Sequence, residues 1–286
     1  MSEPRPVTYR EAKQRIEKWL SGASIAEATW ESELILCRAC NISMGNLIAS
    51  WGEPISDAEW AACEEILARR IRREPLQYIF GETEFMGLPF AVTPAVLIPR
   101  QDTEHLVSEA LACCEGARVL DMCTGSGCIA VSIAKLGKPA SVTAADISEE
   151  ALTVAESNAA RNGAEVAFVK SDMFAAIDGE FDVIVSNPPY IPPEQLAGLE
   201  PEVKDYEPRI ALYGGEDGLA FYRVLVCEGA KHLRRPADGR KGGILIVEIG
   251  FDQGVSVPAL FRGAGFSEVR VEKDYAGLDR VVIGHL

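Results

Sequence analysis

The first 76 residues carry apolar side chains at helical spacing. Ile16, Trp19 and Leu20 form one such series, since residues three and four positions apart share one face of a helix. Three pairs of a hydroxyl residue and a later glutamate have the pattern of a capping box, which satisfies free amides of a first helical turn. The pairs are Thr8 with Glu11, Ser24 with Glu27, and Ser56 with Glu59. Because Pro75 ends the last helix, we predict a helical domain over residues 1–76.

Residues 77–101 follow a different pattern. Between 79 and 98 the apolar residues alternate loosely, and Gly87, Pro89 and Pro94 interrupt them. Such alternation with turn residues is typical of a short hairpin. We therefore predict a hairpin linker over 77–101.

From residue 102 onward, strand patterns alternate with helical ones. Helices are predicted at 127–136, near 217–234, and at 149–162, where Ser148 can cap the first turn and Gly163 can end the last. The seven predicted strands are 117–121, 141–145, 165–170, 182–186, 243–249, 267–272 and 280–285. This order favours an α/β fold over 102–286, with a doubly wound, mostly parallel sheet and helices on both faces. Ligands of such sheets bind beyond the carboxyl ends of the strands.

A glycine-containing loop follows the first strand of this sheet. It consists of Cys123, Thr124, Gly125, Ser126 and Gly127. Glycines let the backbone turn sharply and approach a ligand closely. The two glycines and Asp146, nineteen positions after the second, also fit a relaxed dinucleotide fingerprint. The loop alone therefore leaves an NAD-binding oxidoreductase open.

Three aspartates at successive strand ends favour a different cofactor. Asp121 lies just before the glycine loop, where a pyrophosphate would meet a like charge. The ammonium and sulfonium of S-adenosyl-L-methionine suit a carboxylate there. Asp146 can accept hydrogen bonds from two ribose hydroxyls, and Asp172 is placed to meet the adenine amino group, with Met173 or Phe174 against the ring. The sequence thus predicts that these residues and the loop bind S-adenosyl-L-methionine.

The segment Asn187-Pro188-Pro189-Tyr190 follows the buried strand 182–186. The prolines stiffen the chain and donate no backbone hydrogen bond. The Asn187 side-chain oxygen and the Pro188 carbonyl can accept both hydrogens of a planar NH2 group and favour positive charge developing on its nitrogen. Tyr190 offers a flat wall beside an amide or a base. We predict that Asn187, Pro188 and Tyr190 are catalytic, that the four residues bind the acceptor, and that Asn187 also contacts the cofactor.

Charge and composition restrict the classes of partner that the protein can bind. The formal net charge is -15, which disfavours general affinity for nucleic acid. The one basic run, 69–73, ends a predicted helix, where cations suit the helix dipole. Residues 1–10 are polar, so we expect no secretory signal, and the apolar runs are too short to span a bilayer. Cys37 and Cys40 form a single C-x-x-C pair without the further ligands that a metal site requires. We therefore expect a cytoplasmic protein without metal, membrane attachment or direct nucleic-acid binding.

Motifs along nearly the whole chain resemble one family, the bacterial release factor glutamine methyltransferases of the HemK/PrmC type. The motifs are Pro75-Leu76-Gln77-Tyr78-Ile79-x-Gly81, Val96-Leu97-Ile98-Pro99-Arg100, the 124–127 loop, Ser186-Asn187-Pro188-Pro189-Tyr190-Ile191, Tyr206-Glu207-Pro208-Arg209, Gly214-Gly215-x-Asp217-Gly218, Glu248-Ile249-Gly250 with Gln253, and Asp279-Arg280. The sequence departs from the family pattern in two places. Cys123 stands where glycine is more usual, and Gln101-Asp102 replaces the usual Pro-Glu.

The resemblance implies a Rossmann-like class I methyltransferase domain with a smaller helical substrate-recognition domain and a connecting hairpin. It also implies the reaction: transfer of a methyl group from S-adenosyl-L-methionine to the glutamine side-chain amide in the Gly-Gly-Gln loop of class 1 peptide chain release factors. The products would include S-adenosyl-L-homocysteine. We expect a monomer. The Asn187–Tyr190 segment alone also fits N6-adenine methylation of DNA or RNA, and that alternative stays open here.

Overall fold

The computed structural model describes residues 5–237 and 241–286, which form two compact units. The first contains residues up to Phe80 together with Pro201–Tyr206, and the second contains Gly81–Glu200 and Glu207–Leu286. Among helices in the described ranges, none combines the length and the apolar character needed to cross a membrane.

Helices make up the first unit. They are α1 Tyr9–Gly22, α2 Ala28–Cys40, α3 Met44–Ala49, α4 Asp57–Arg70 and α5 Leu76–Phe80; a short helix at Pro201–Lys204 belongs to the same unit. Their apolar faces enclose one core, with Ile16, Ile35, Leu47 and Leu67 almost fully buried. The helical pattern predicted for this part of the sequence is therefore present. The prediction that Pro75 ends the last helix is wrong, because α5 begins directly after it.

The three predicted capping boxes have different outcomes. At Ser56 and Glu59 the reciprocal bonds are both present, so that prediction is confirmed. The Thr8 hydroxyl accepts a hydrogen bond from the Glu11 amide, but the Glu11 carboxylate accepts one from the Val7 amide instead. The prediction at Ser24 and Glu27 is wrong, because Ser24 adopts φ 57° in the turn after α1 and the next helix begins at Ala28 without a side-chain cap.

The basic run at 69–73 is largely neutralised within the first unit. The Arg70 side chain is 5% exposed and pairs with Glu31 at 2.6 Å and with Glu202 at 2.8 Å. Arg73 also pairs with Glu202, and Arg69 pairs with Glu74. The run is therefore a set of internal ion pairs more than an open cationic surface.

A hairpin and a seven-stranded sheet form the second unit. The hairpin strands are β1 Glu82–Phe85 and β2 Leu88–Ala91. The sheet strands are β3 Arg118–Met122, β4 Ser141–Asp146, β5 Ala167–Lys170, β6 Val183–Ser186, β7 Ile244–Glu248, β8 Ser267–Lys273 and β9 Asp279–His285. Their order is β5-β4-β3-β6-β7-β9-β8, with the first five parallel and the last two antiparallel to their neighbours. The predicted mostly parallel sheet is confirmed.

The helices of the second unit cover both faces of this sheet. They are α6 Thr103–Leu111, α7 Cys128–Leu136, α8 Glu149–Asn162, α9 Pro193–Leu196, α11 Ala220–His232 and α12 Ser256–Gly263, where α10 is the Pro201–Lys204 helix of the first unit. Alternate strand residues face opposite ways: Val119 joins the core with α6, α7 and α8, and Leu120 joins the core with α11 and α12. Phe85 and Phe90 of the hairpin are buried in the first of these cores.

Helix α8 ends as predicted. The Ser148 hydroxyl accepts a hydrogen bond of 3.1 Å from the Ala151 amide. Gly163 takes a left-handed conformation at the other end. The strand order reverses between β4 and β6, on either side of β3. Because a crevice opens at such a point, the carboxyl ends of these strands are where a site is expected.

Candidate active site

A cavity opens at the carboxyl ends of β3, β4, β5 and β6. Its empty volume is about 1060 Å³, part of it open to solvent. Nine of the residues predicted from the sequence line it: Cys123, Thr124, Gly125, Ser126, Asp146, Asp172, Met173, Asn187 and Pro189. The fold thus brings the glycine loop, two of the three aspartates and the start of the Asn187–Tyr190 segment around one space.

The glycine loop is held by its own backbone amides. The Thr124 amide donates to the Ala145 carbonyl at 3.0 Å, and the Gly125 amide donates to the Asp146 carboxylate at 2.9 Å. A phosphate-binding loop needs free amides aimed at the ligand. Since these two amides are already satisfied, the loop offers a pyrophosphate less than the dinucleotide fingerprint implied.

Asp121 does not line the cavity, contrary to the prediction of a direct cofactor contact. Its side chain is fully buried beneath the loop, where one carboxylate oxygen accepts from the Thr124 hydroxyl at 2.6 Å and from the Ala130 amide at 3.1 Å. Burial raises the pKa of Asp121 to about 7. The carboxylate thus joins the loop to the first turn of α7, because strand β3 points this side chain inward.

Gly127 does not line the cavity, although its neighbours Ser126 and Cys128 do. It has φ 78°, and a Cβ there would lie 2.9 Å from the Cβ of Ala155 on α8. The residue is therefore needed for close packing of α7 and α8. The sequence predicted correctly that glycine matters here, but the group that requires it is Ala155 and not the cofactor.

Cys123 adopts φ 64°, in the left-handed region that favours glycine. This conformation explains why glycine suits the position. The Cys123 sulfur lies 4.0 Å from that of Met173, so the side chain fills space between the loop and the end of β5. Burial raises the pKa of its thiol above the usual range.

The second half of the cavity offers carboxylates and apolar walls. Asp146 accepts from the Gly125 and Ser148 amides, each at 2.9 Å, which fixes its carboxylate at the cavity edge. Asp172 is exposed and Met173 half-buried. Phe174 stacks on His232 with ring centroids 5.2 Å apart and faces the core, so the alternative that it covers an adenine is wrong.

Several lining residues were not singled out from the sequence. Ile147 is 46% exposed at the cavity edge. Thr103 and Phe221 also contribute to the wall. Thr103 and Phe221 lie on helices far in the sequence from the predicted site residues, so only the fold brings them to the wall.

The charges of the wall suit a cationic ligand. Asp146, Asp172 and Arg100 are its charged side chains. Arg100 pairs at 2.7 Å with Glu207, whose side chain is 1% exposed. With Arg100 compensated in this way, the wall retains two carboxylates.

Asn187 leaves the end of β6 in a fixed orientation. The Ser186 hydroxyl donates to the Met122 carbonyl at 2.6 Å, which ties the ends of β6 and β3 together. The Asn187 side-chain nitrogen donates to the Thr103 hydroxyl at 3.2 Å. An amide that donates with its nitrogen presents its oxygen on the other side.

The rest of the segment is clamped from behind. Gln253 donates to the Tyr190 carbonyl at 3.4 Å and to the Gly218 carbonyl at 3.1 Å. A Cβ on Gly214 would lie 2.5 Å from the Tyr190 Cα. The motif glycine Gly214 thus allows close backbone packing against the Asn187–Tyr190 segment, and the hydrogen bonds of Gln253 hold that segment in place.

Pro188 and Tyr190 lie outside the cavity wall. Pro188 is buried, and Tyr190 is half-buried and packs against the core that includes α11. Burial raises the pKa of the Tyr190 hydroxyl. The predicted roles of the Pro188 carbonyl and the Tyr190 ring concern an acceptor that is not present, and they stay predictions.

Comparison with known proteins identifies the family. The model of the Methyltransferase small domain matches residues 101–197, and that of the PrmC N-terminal domain matches residues 11–81. A release factor glutamine methyltransferase from Geobacter sulfurreducens is 43% identical over 286 residues, covering 99% of each chain. The chain belongs to the release factor glutamine methyltransferase family.

Other relatives agree with this assignment. A family member from Moorella thermoacetica is 42% identical, covering 98% of this chain and 99% of the relative. A methyltransferase crystal structure from Pyrococcus furiosus superposes with a TM-score of 0.54 at 22% identity, covering 70% of this chain and 90% of that chain. The class I methyltransferase fold and the family resemblance predicted from the sequence are both confirmed.

Proposed function

We propose that the protein transfers a methyl group from S-adenosyl-L-methionine to the side-chain amide nitrogen of a glutamine in peptide chain release factors. Family members such as the Geobacter sulfurreducens and Moorella thermoacetica proteins carry this activity in their names. The observation that carries the proposal here is Asn187, whose side chain enters the same cavity as the glycine loop and Asp146. The acceptor is the glutamine of the Gly-Gly-Gln loop in class 1 release factors.

Several residues of the cavity wall support S-adenosyl-L-methionine as the methyl donor. The Asp146 carboxylate keeps lone pairs for two ribose hydroxyls while its backbone bonds hold it still. Met173 and Ile147 offer apolar surface for an adenine ring, and Asp172 an acceptor for its amino group. The two carboxylates also give the cavity wall a negative charge, which favours a cationic ligand. When bound, S-adenosyl-L-methionine supplies an electrophilic methyl group.

The chain's own groups would prepare the acceptor nitrogen. The Asn187 side-chain oxygen and the Pro188 carbonyl each accept one hydrogen of the glutamine NH2 group. This holds the nitrogen in line with the methyl group, and such alignment lowers the barrier substantially. Both oxygens also stabilise positive charge that develops on the nitrogen during transfer. The extra proton can leave after transfer, so no strong base is required.

Two alternatives are less well supported. An NAD-dependent oxidoreductase needs free loop amides for a pyrophosphate, and the Thr124 and Gly125 amides are engaged. N6-adenine methylation would use the same Asn187 chemistry, but the family relationship and the net charge of -15 favour a protein acceptor. We further propose that the first unit recognises the release factor and that the enzyme acts as a monomer in the cytoplasm, where its substrate works.

Transfer of labelled methyl groups tests the proposal. The protein is incubated with methyl-labelled S-adenosyl-L-methionine and a class 1 release factor, and the control is the same factor with its Gly-Gly-Gln glutamine changed to alanine. We expect label in the first factor only. Equal label in both, or label in DNA or RNA offered in parallel and none in the factor, would contradict the proposal.

A further inference from the structure

A buried carboxylate ends the strand that pairs with the strand leading into Asn187. Glu248 ends strand β7 and is 2% exposed. Its neighbour Val247 pairs in the sheet with Ser186, the residue before Asn187. The Tyr222 hydroxyl donates to the Glu248 carbonyl at 2.8 Å and fixes this strand end. One oxygen of the Glu248 carboxylate, Oε2, is buried without a hydrogen-bond partner among the described residues. Such a group calls for a functional explanation, since an unsatisfied buried polar atom is costly.

Thr103 connects this carboxylate to Asn187. Its hydroxyl receives the hydrogen bond of 3.2 Å from the Asn187 side-chain nitrogen. The same side chain interacts with the Glu248 carboxylate and favours its ionised form. Thr103 is 2% exposed, so no bulk water competes for these bonds. It stands at the first position of α6, far from both partners in the sequence.

The chemistry of the three groups fixes the direction of both bonds. An ionised carboxylate only accepts, so the single hydroxyl proton of Thr103 points to Glu248. The hydroxyl can then only accept from Asn187, and the Asn187 amide must turn its nitrogen toward Thr103. Its oxygen is left facing away from Thr103. A flipped amide would place an NH2 group against the NH2 group of the acceptor, where neither can accept.

We propose that Glu248 and Thr103 are positioning residues that set the orientation of the Asn187 amide, so that its oxygen faces the acceptor nitrogen. The inference rests on the proposed function, because it specifies how that acceptor is held. Neither residue touches the reacting atoms. Their effect is exerted through Asn187. Because Thr103 also contributes to the cavity wall, rates are compared at saturating S-adenosyl-L-methionine.

The surroundings of Glu248 make this device sensitive to pH. Burial raises the pKa of Glu248 to about 7. Nearby cations are already engaged, since Arg280 pairs with Asp274 and Asp102, and Arg100 with Glu207. The titratable and charged groups that act on Glu248 are Arg280, Asp102, Arg100, Tyr190, Tyr222 and Cys128. A protonated Glu248 can donate to Thr103, which frees the hydroxyl to donate and allows the Asn187 amide to flip.

Substitutions of Thr103 separate its hydroxyl from its packing. Thr103→Val keeps the shape and removes the hydroxyl, whereas Thr103→Ser keeps the hydroxyl. Single-turnover rates are measured at pH 8 with saturating S-adenosyl-L-methionine and labelled release factor. We expect Thr103→Val to lower the rate by about 10- to 100-fold, since small misplacements have effects of this size, and Thr103→Ser to stay within about threefold of the wild type. A Thr103→Val rate near that of the wild type, or equal losses in both variants, would overturn the inference.

The pH profile of the same rate tests Glu248. We expect the wild-type rate to fall as the pH drops below about 7, and we expect this fall to disappear in Glu248→Gln, whose side-chain oxygen accepts from Thr103 at every pH. The same fall in rate at low pH in both proteins would contradict the role of Glu248. Wild-type protein that labels no release factor would refute the proposed function itself, whereas a labelling wild type with unaffected variants refutes only this inference.

Discussion

Asn158 on helix α8 donates a hydrogen bond of 2.9 Å to the carbonyl of Ser126 in the glycine loop. The same side chain donates to the Ala91 carbonyl at 3.0 Å and accepts from the Ala91 amide at 2.7 Å. Asn158 is fully buried. One amide therefore joins the loop that lines the cavity to the end of the hairpin, and all of its hydrogen-bonding groups are used.

Replacement of Asn158 should destabilise the protein. Asn158→Ala leaves three backbone groups without this partner, the buried Ser126 carbonyl and the part-buried amide and carbonyl of Ala91. We expect a loss of about 3 kcal/mol in the free energy of unfolding. Affinity for S-adenosyl-L-methionine should fall as well, because the loop loses its anchor. Denaturant unfolding and calorimetry measure the two effects. Ser157→Ala, at an exposed position of the same helix, is the control; similar losses in both variants would contradict the anchoring role.

The two loop glycines should respond differently to a methyl group. Gly125 and Gly127 both have positive φ, but a Cβ at Gly125 meets nothing within 4 Å, whereas one at Gly127 would lie 2.9 Å from the Ala155 Cβ. Gly125→Ala should therefore lower the free energy of unfolding by only about 1 kcal/mol, the cost of a side chain at positive φ. Gly127→Ala should lower the free energy of unfolding by clearly more, because α7 or α8 must also shift. Equal unfolding free energies for the two variants would show that the close approach of the helices is unimportant.

Asn187 should matter for transfer far more than for cofactor binding. Asn187→Ala removes the oxygen that accepts from the acceptor NH2 group, while the bonds of the glycine loop and Asp146 are unchanged. We expect the single-turnover rate to fall by about 100-fold or more and the Kd for S-adenosyl-L-methionine to stay within about tenfold. Rapid quench with labelled donor and calorimetry give the two values. An unchanged rate would refute the role assigned to Asn187.

Asp121 should make the fold less stable as the pH rises. Burial raises its folded-state pKa to about 7 from an ordinary value of 3.8, so the folded state binds more protons than the unfolded state between these pH values. Stability from this group is therefore present at low pH and lost as the pH rises toward 7 and above. Between pH 5 and pH 8 the free energy of unfolding of the wild type should fall by about 2 kcal/mol relative to that of Asp121→Asn.

The control for this pH effect is Asp217→Asn. The bonds from Arg223 hold the pKa of Asp217 at about 2, so Asp217 is ionised in both states throughout that pH range. Its removal should leave the pH dependence of stability between pH 5 and pH 8 unchanged. Parallel shifts in the Asp121 and Asp217 variants, measured by urea unfolding at each pH, would argue against a buried titrating Asp121.

The sequence by itself determined the class of fold and the location of the site. Periodicity predicted all seven strands to within a few residues, since a buried parallel strand must be a short apolar run and its following helix must be amphipathic. The positions of Asp146 and Asn187 followed from the rule that parallel strands present their carboxyl ends at one edge. Local patterns suffice where the physics is local.

Tertiary structure alone decided which side chains face the cavity. Asp121 and Gly127 belong to the recognised loop, yet one points under it and the other packs on Ala155. Thr103 and Asn158 carry no local signal, because their roles arise from bonds to residues 32 to 84 positions away. Glu248 belongs to a quoted motif, but only the strand pairing shows that it lies near Asn187. Orientation and long-range pairing depend on how the elements pack, and packing is a property of the whole chain.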